Sequence, residues 1–244
     1  MIRAGWPATR SELEAAQVEL GAAGFGSWRP EPGRSLRVAG AFVASATGLT
    51  GMGEAGDPLW ASAVLVWAEP DASRVRTVRR LVATGAAGAP YEPGYLALRV
   101  GALLERAVAG LEDEVDVVIV DATGRDHPRR AGLALHLGAV LELPTVGVTD
   151  RPLVASADEP PDELGAWTPL MLGEERVGSA LRTRVHARPV FVHAGWRSDP
   201  DVSLEVVRRV TARVRTPEPL RRARRLAREA RAFDEGRVDR PDRA

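Results

Sequence analysis

The stretch VDVVIVDATGRDHPRR, residues 115–130, decides how this chain is read. Its unbroken Val and Ile run is that of a strand buried on both faces, as in the middle of an α/β sheet, and it ends on a single carboxylate, Asp121. The carboxyl end of such a strand is where α/β proteins place metals and acid/base groups. A short Ala-Thr-Gly turn then leads to the basic HPRR at 127–130, whose arginines beside a helix start suit a phosphate. What Asp121 works with is the first question, because one carboxylate makes a poor site for a hard cation.

Upstream, three β-rich runs at 35–46, 59–70 and 73–83 read as an antiparallel meander, the first two joined by the Gly-laden TGLTGMGEAGD. The loop TGAAGAPYEPG leads into a helix at 95–111 and then into the 115–121 strand, so the sheet continues through a crossover. Downstream, a helix at 129–142, strands at 144–150, 175–184 and 189–195, and a helix at 201–214 follow, with SADEPPDELGAWTP (156–169) a surface loop. Near the start, SELEAAQVELGAAGF (11–25) is an amphipathic helix with Ser11 and Glu14 in capping-box spacing. The order βββαβαβ predicts the α/β class: an RNase H-like mixed sheet, three antiparallel strands then alternating helices and strands, with helices on both faces. Residues 1–244 are expected to form one domain, with 234–244 a flexible tail.

Composition narrows the chemistry. The chain has no Cys, which excludes disulfides, thiolate metal sites and a cysteine nucleophile, so any metal must sit on oxygen or imidazole. All 33 cationic side chains are Arg, so Schiff-base lysine chemistry is excluded and phosphate contacts fall to guanidinium and backbone N–H groups. The 33 acids balance them, giving no global attraction to polyanions, although RRARRLAREARAF (221–233) gathers six Arg against one Glu; a solvated helix face is expected there, with a phosphate-contacting helix as the alternative. No apolar run approaches the roughly 18 residues of a membrane span, and the start lacks an apolar signal-peptide core, so a cytoplasmic protein with no membrane partner is expected.

Four segments, PYEPGYLALR (90–99), VDATGRDHPRRAGLALHLG (120–138), LPTVGVTDRPL (143–153) and TPEPLRRARRLA (216–227), together resemble the landmarks of the endonuclease V family in order and spacing, over about residues 36–233. The resemblance implies an RNase H-like fold and an endonuclease that uses a divalent metal such as Mg²⁺ to cut one bond beyond a deaminated base, chiefly inosine. It implies a strand-separating wedge at Pro90, Tyr91, Glu92 and Pro93, followed by Gly94. Two prolines stiffen such a loop, so a tyrosine can be held out as a stacking face without a large ordering cost. It also implies nucleic-acid contacts at His127, Arg129 and Arg130. A flipped-base pocket is implied at Gly124 and Gly147, where small residues let a purine approach beside Ala122 and Thr123.

The same resemblance implies metal-binding carboxylates from three places and an assisting His. Lining up the landmarks places Phe42 at the first carboxylate position and Val100 at the second, leaves Asp121 as the remnant of the catalytic and metal set, and places Trp196 at the His; Thr149 or Asp150 stands where a basic residue is usual. Asp121 is then expected to cap the turn after it. Glu92, Glu105, Asp126, Asp199 and Asp201 are the acids that come into question as replacements, Asp126 and Asp199 foremost, and His193 is the candidate for the missing His. The expected function is a catalytically impaired homologue that binds DNA or RNA at a deaminated or mismatched base, or as a single strand. Two alternatives stand beside it: an active endonuclease with relocated ligands, and a scaffold or interaction protein on the same fold. No cofactor is expected, with Mg²⁺ or Mn²⁺ required only if cleavage survives; a small-molecule substrate is not expected, and a protein partner is left open.

Overall fold

A computed structural model of the chain describes residues 5–49, 51–70, 74–211 and 214–237. Eight strands form one mixed sheet in the order β3-β2-β1-β4-β5-β8-β7-β6. Strands β1 (Leu36–Ser45), β2 (Pro58–Ala68) and β3 (Val75–Ala86) are the antiparallel meander; β4 (Val117–Val120) and β5 (Thr145–Thr149) join β1 in parallel. Beyond them β8 (Val190–Ala194), β7 (Glu175–Leu181) and β6 (Trp167–Leu172) return antiparallel. Strand β6 takes up the end of the segment expected to be loop. Its burial is patchy, with Leu170 the one buried side chain, so no clean two-residue alternation marks it in the sequence.

Helices α2 (Leu96–Ala109) and α3 (Leu133–Leu141), with α1 (Arg10–Ala22) against them, cover one face; α4 (Pro200–Arg209) and α5 (Glu218–Asp234) cover the other. Both sides of β4 are therefore buried, Val118 and Val120 among α2 and α3, Val117 and Ile119 toward α4 and α5. This is the mixed α/β architecture, with helices on both faces, that the βββαβαβ order implies.

Several boundaries differ from expectation, among them the end of α4, at Arg209 where 214 had been expected. The α1 cap is Thr9, whose extended backbone suits a cap, and its box partner is Glu12, so Ser11 lies inside the first turn. Helix α3 opens at Leu133, four residues later than 129, because Pro128 and the left-handed Arg130 (φ 58°) make HPRR a turn. At the other end, Asp234 accepts from Trp60 Nε1 at 2.6 Å and Glu235 from the Thr47 backbone N–H at 2.8 Å; the rest of the expected tail, 238–244, lies outside the described residues.

The placement of α5 sets up the site. Gly40 in β1 lies beneath the Pro219 backbone, where any side chain would collide, so the start of α5 rests directly on the strand. The Ser62 hydroxyl, buried in β2, donates to Ala223 O at 2.7 Å and fixes the helix in register.

Candidate functional site

Asp121 leaves the end of β4 beside Phe42 of β1, since Ala41 is the register partner of Val120. It points toward α5. There Arg224 Nη2 donates to Asp121 Oδ1 at 2.9 Å and Arg224 Nε to Oδ2 at 3.2 Å, a bidentate pair with side chains 16% and 23% exposed for Arg224 and Asp121 respectively. The Arg224 and Arg228 guanidiniums also lie 5.9 and 5.6 Å from the centre of the Phe42 ring. Burial pushes the Asp121 carboxyl above its usual value, more than Arg224 pulls it down. The expected cap is thus replaced: both Asp121 oxygens face a guanidinium brought from another element.

Two cavities flank this pair. One, about 170 Å³, is lined by the hydrocarbon of Phe42, Val100, Leu104 and Leu133 together with Ser45, Arg99 and Asp121. The other, about 220 Å³, lies between Asp121 and the loop 91–94 and is lined by Gln17, Ala122, Thr123, His127 and Thr149 among others. Tyr91 borders both.

The loop 90–94 is held from below. Tyr91 N–H donates to Gly53 O at 3.0 Å; Arg99, itself buried, donates to Glu54 O and Ala89 O at 2.8 Å and pairs with Asp57 at 3.1 Å. Gly94 turns the chain through φ 85°, a conformation that favours glycine, and its carbonyl is bonded by Gln17 Nε2 at 3.0 Å and His127 Nε2 at 3.0 Å. Between these anchors Tyr91 stays 38% exposed. Glu92 pairs with Arg10 at 3.1 Å.

The sequence profile of the Endonuclease V family matches residues 43–225. An endonuclease V of Streptomyces avermitilis is 38% identical over 230 residues, covering 94% of this chain and 95% of the relative. The chain belongs to the endonuclease V family. Among solved structures, the S. avermitilis endonuclease V superposes with a TM-score of 0.81 at 36% identity, covering 96% of this chain and 97% of the other. The Bacillus subtilis endonuclease V gives 0.80 at 26% identity, covering 94% and 95%. The mixed α/β fold described above is the RNase H-like fold of these endonuclease V structures.

Within this endonuclease V fold the remaining candidate residues divide. His127 is buried with both ring nitrogens in use: Nε2–H serves Gly94 O, and Nδ1 accepts from Arg129 N–H at 3.1 Å. It braces the Tyr91 loop from inside and does not offer itself to a phosphate. Arg129 donates to Gln17 Oε1 at 2.8 Å and stacks on Tyr95, 4.9 Å from its ring centre; Arg130 pairs with Glu175 at 2.9 Å. A side chain at Gly124 or Gly147 would strike the Ala194 or Ala122 carbonyl oxygen, so these glycines admit the protein's own backbone where a purine had been expected. The walls of the 220 Å³ pocket there are Ala122 and Thr123.

The candidate replacement ligands are engaged elsewhere. Asp126 is buried and accepts three backbone N–H bonds, from Leu153, Val154 and Ala155, at 2.7–2.9 Å. Asp199 caps α4 through the Asp201 and Val202 N–H groups and binds Arg29 at 2.9 Å; Asp201 pairs with Arg176, and Glu105 accepts from Trp6 Nε1 at 2.7 Å. His193 is buried against Thr149 Oγ1 at 2.7 Å and 3.6 Å from Asp126. Trp196 packs on Phe25, ring centres 4.2 Å apart, in the cluster under α1 and α3, so it lies outside the Asp121 cleft. The side chain that does enter is Arg224, which sequence reading left undistinguished in an arginine-rich face.

A divalent metal does not fit this donor set. Among the described residues no three His, Asp or Glu side chains are grouped to hold an ion. Asp121 is engaged by Arg224, and Asp150, the acid that bears on it electrostatically, is itself paired with Arg215 at 2.5 Å. Magnesium demands near-octahedral oxygen ligation, which one occupied carboxylate beside hydrocarbon cannot supply.

The buried histidines set a pH dependence. Burial lowers His193 to about 4 and pushes His127 and His136 down as well. A His whose folded pKa lies below its unfolded one stabilises fully above the unfolded value, near 6.5, and loses that contribution as pH falls toward the folded value. Unfolding titrations at pH 7.5 and 5 are expected to show stability falling by about 2 kcal/mol from His193 alone. A His193→Gln variant should show a shallower decline.

Proposed function

We propose that this endonuclease V family member is a catalytically impaired homologue that binds nucleic acid, a deaminated or mismatched base or a single strand, through the Tyr91 loop without cutting it. The observation that carries this reading is the Asp121–Arg224 pair beside Phe42 and Val100. The carboxylate is satisfied by a guanidinium, and Phe42 and Val100 present hydrocarbon to the cavity next to it. Scissile-bond hydrolysis of the kind that gives the family its name needs metal-bound water close to such a carboxylate, and the donor set argues against it.

The binding half of the reading is supported by Tyr91. Its ring is exposed over a 220 Å³ pocket, on a loop held rigid by two prolines, Arg99, Gln17 and His127. Aromatic stacking on an unpaired base is sequence-tolerant and contributes about 1–3 kcal/mol per base, so one pre-positioned ring is a useful grip. Thr123, Thr149 and the Asp121 edge offer the pocket's polar groups.

The test is an anisotropy titration of fluorescent inosine-containing, mismatched and fully paired strands, with Mg²⁺ or Mn²⁺ present and cleavage read on a denaturing gel. Saturable binding without nicking is expected, and Tyr91→Ala should weaken it about tenfold, the equivalent of roughly 1.4 kcal/mol of stacking. Efficient nicking abolished by Asp121→Ala would overturn the impaired reading. Failure to bind any strand would leave the scaffold alternative in possession.

A further inference from the structure

A groove of about 510 Å³ runs between the edge strand β3 and helix α5, lined by Arg79 and Arg80 from the strand, Arg221, Arg222 and Arg225 from the helix, and Glu229. Its lining sets five guanidiniums against one carboxylate, in a chain whose net charge is zero; Glu218 also pairs with Arg221 and Arg222, and Asp113 with Arg79 at 3.7 Å, so the uncommitted positive charge lies at Arg80 and the exposed Arg225. Val64 and Leu226 add apolar surface between the arginine rows.

The arginines are not equally committed. Arg222 is held by Glu218 at 2.9 Å, by Thr77 Oγ1 at 2.8 Å and by Val75 O at 3.0 Å, and shapes the wall. Among the described residues Arg225 meets only Glu229, at 2.6 Å, and its side chain is 75% exposed, a pairing of the kind that adds little stability and is readily exchanged for another anion. Arg80 has no ion-pair or hydrogen-bond partner among the described residues. Strand β3 sits at the edge of the sheet, and charged side chains guard such edges against pairing with other chains. That accounts for Arg79 and Arg80, but not for the facing row on α5, which has no strand edge to guard. Two facing rows of guanidinium groups match a ligand with negative charge spread along its length.

We propose that this groove is a second nucleic-acid contact: a track for the phosphodiester backbone of a strand that passes from the Asp121 cleft across α5. It rests on the nucleic-acid-binding reading above and extends it. Arg224 and Arg228 stand at the cleft and Arg221 and Arg225 at the groove, on flanks of one helix whose diameter with side chains is about 10–12 Å, so a strand crosses within a few nucleotides. The track reads charge, and base discrimination stays with the Tyr91 pocket.

The experiment is a salt series of anisotropy titrations with a labelled single strand of about 30 nucleotides, long enough to occupy several sites of the usual single-strand size. Each single-strand phosphate contact contributes about 0.7 to the slope of log K against log salt, so Arg80→Gln/Arg225→Gln should reduce the slope by about 1.4. Arg80→Glu/Arg225→Glu should weaken binding by roughly tenfold or more at low salt. Tyr91→Ala should lower affinity with the slope unchanged. Thermal melts check folding, and neither arginine makes a buried contact whose loss would unfold the chain.

Parental slope and affinity in both groove variants would overturn the track, and a Tyr91→Ala loss alongside would leave the wedge reading standing. Loss in the groove variants with Tyr91→Ala unaffected supports the track and overturns the wedge. Absence of salt-dependent binding to any strand overturns both. An acidic peptide that displaces the label as well as an unlabelled strand of equal charge overturns the assignment to nucleic acid.

Discussion

Phe42→Asp, Val100→Glu and Arg224→Ala, made together, are expected to convert the Asp121 cleft into a divalent-metal site. Phe42 and Val100 line the same 170 Å³ cavity as Asp121, so carboxylates in their places would face one shared space. Removing Arg224 frees both Asp121 oxygens. Three acids crowded into a partly buried cleft repel one another, so the metal-free triple variant should melt well below the parent. Mn²⁺ binds the folded form and should restore stability by about 2.7 kcal/mol when its concentration is a hundred times the dissociation constant. The measurement is thermal unfolding against Mn²⁺ concentration, with the parent as control. A parent that responds as strongly as the variant, or a variant that does not respond, would show that the identity of these three residues is not what bars the metal. Nicking of inosine-containing strands by the triple variant, with none by the parent, would go further and make the absence of these carboxylates a sufficient account of the impairment proposed above.

Arg224→Ala alone is expected to destabilise the fold by about 3 kcal/mol at pH 7. Breaking a buried ion pair from one side leaves an uncompensated charge, at about 3–5 kcal/mol for full burial, and the residual exposure of both side chains places this pair at the lower end. The sign of the pH dependence follows from the direction of the Asp121 shift. Its folded pKa lies above the unfolded value, so the folded state holds the proton more tightly, and the carboxyl's influence on stability worsens as pH rises through the folded value. Losing Arg224 removes the main group that draws this pKa down, so it rises further. The deficit of Arg224→Ala relative to the parent should therefore be largest at neutral pH and shrink on acidification toward pH 4.5. Adding Asp121→Asn should recover most of the loss by removing the stranded charge. A deficit independent of pH, or one that Asp121→Asn deepens, would mean that Arg224 acts through packing on Phe42 instead.

Local patterns carried far because the chemistry they encode is local. The Val and Ile run of β4 identified a strand buried on both faces; the meander and crossover followed from periodicity and from turn residues; and the two prolines of Pro-Tyr-Glu-Pro-Gly marked a stiff loop, whose held-out tyrosine the family resemblance implied. The limits appeared where a role depends on partners distant in sequence. HPRR has the composition of a phosphate cradle, yet His127 faces inward because Gly94, 33 residues earlier, presents its carbonyl. Asp126, promising as a ligand by position, is consumed by three N–H groups of residues 153–155.

Arg224 draws the line most sharply. The apolar positions of α5 imply an amphipathic helix with a crowded cationic face, but phase alone does not say which of six arginines meets a carboxylate. That was decided by the seat of Pro219 on Gly40 and the bond from Ser62 to Ala223, which set the height and rotation of the helix over the sheet. The sequence by itself determined most of the sheet, the proline-flanked loop and the carboxylate at the strand's end. Only the tertiary structure decided that this carboxylate, 103 residues from its partner, is neutralised by the protein's own cation, because an ion pair depends on angström-scale separation that no spacing along the chain encodes.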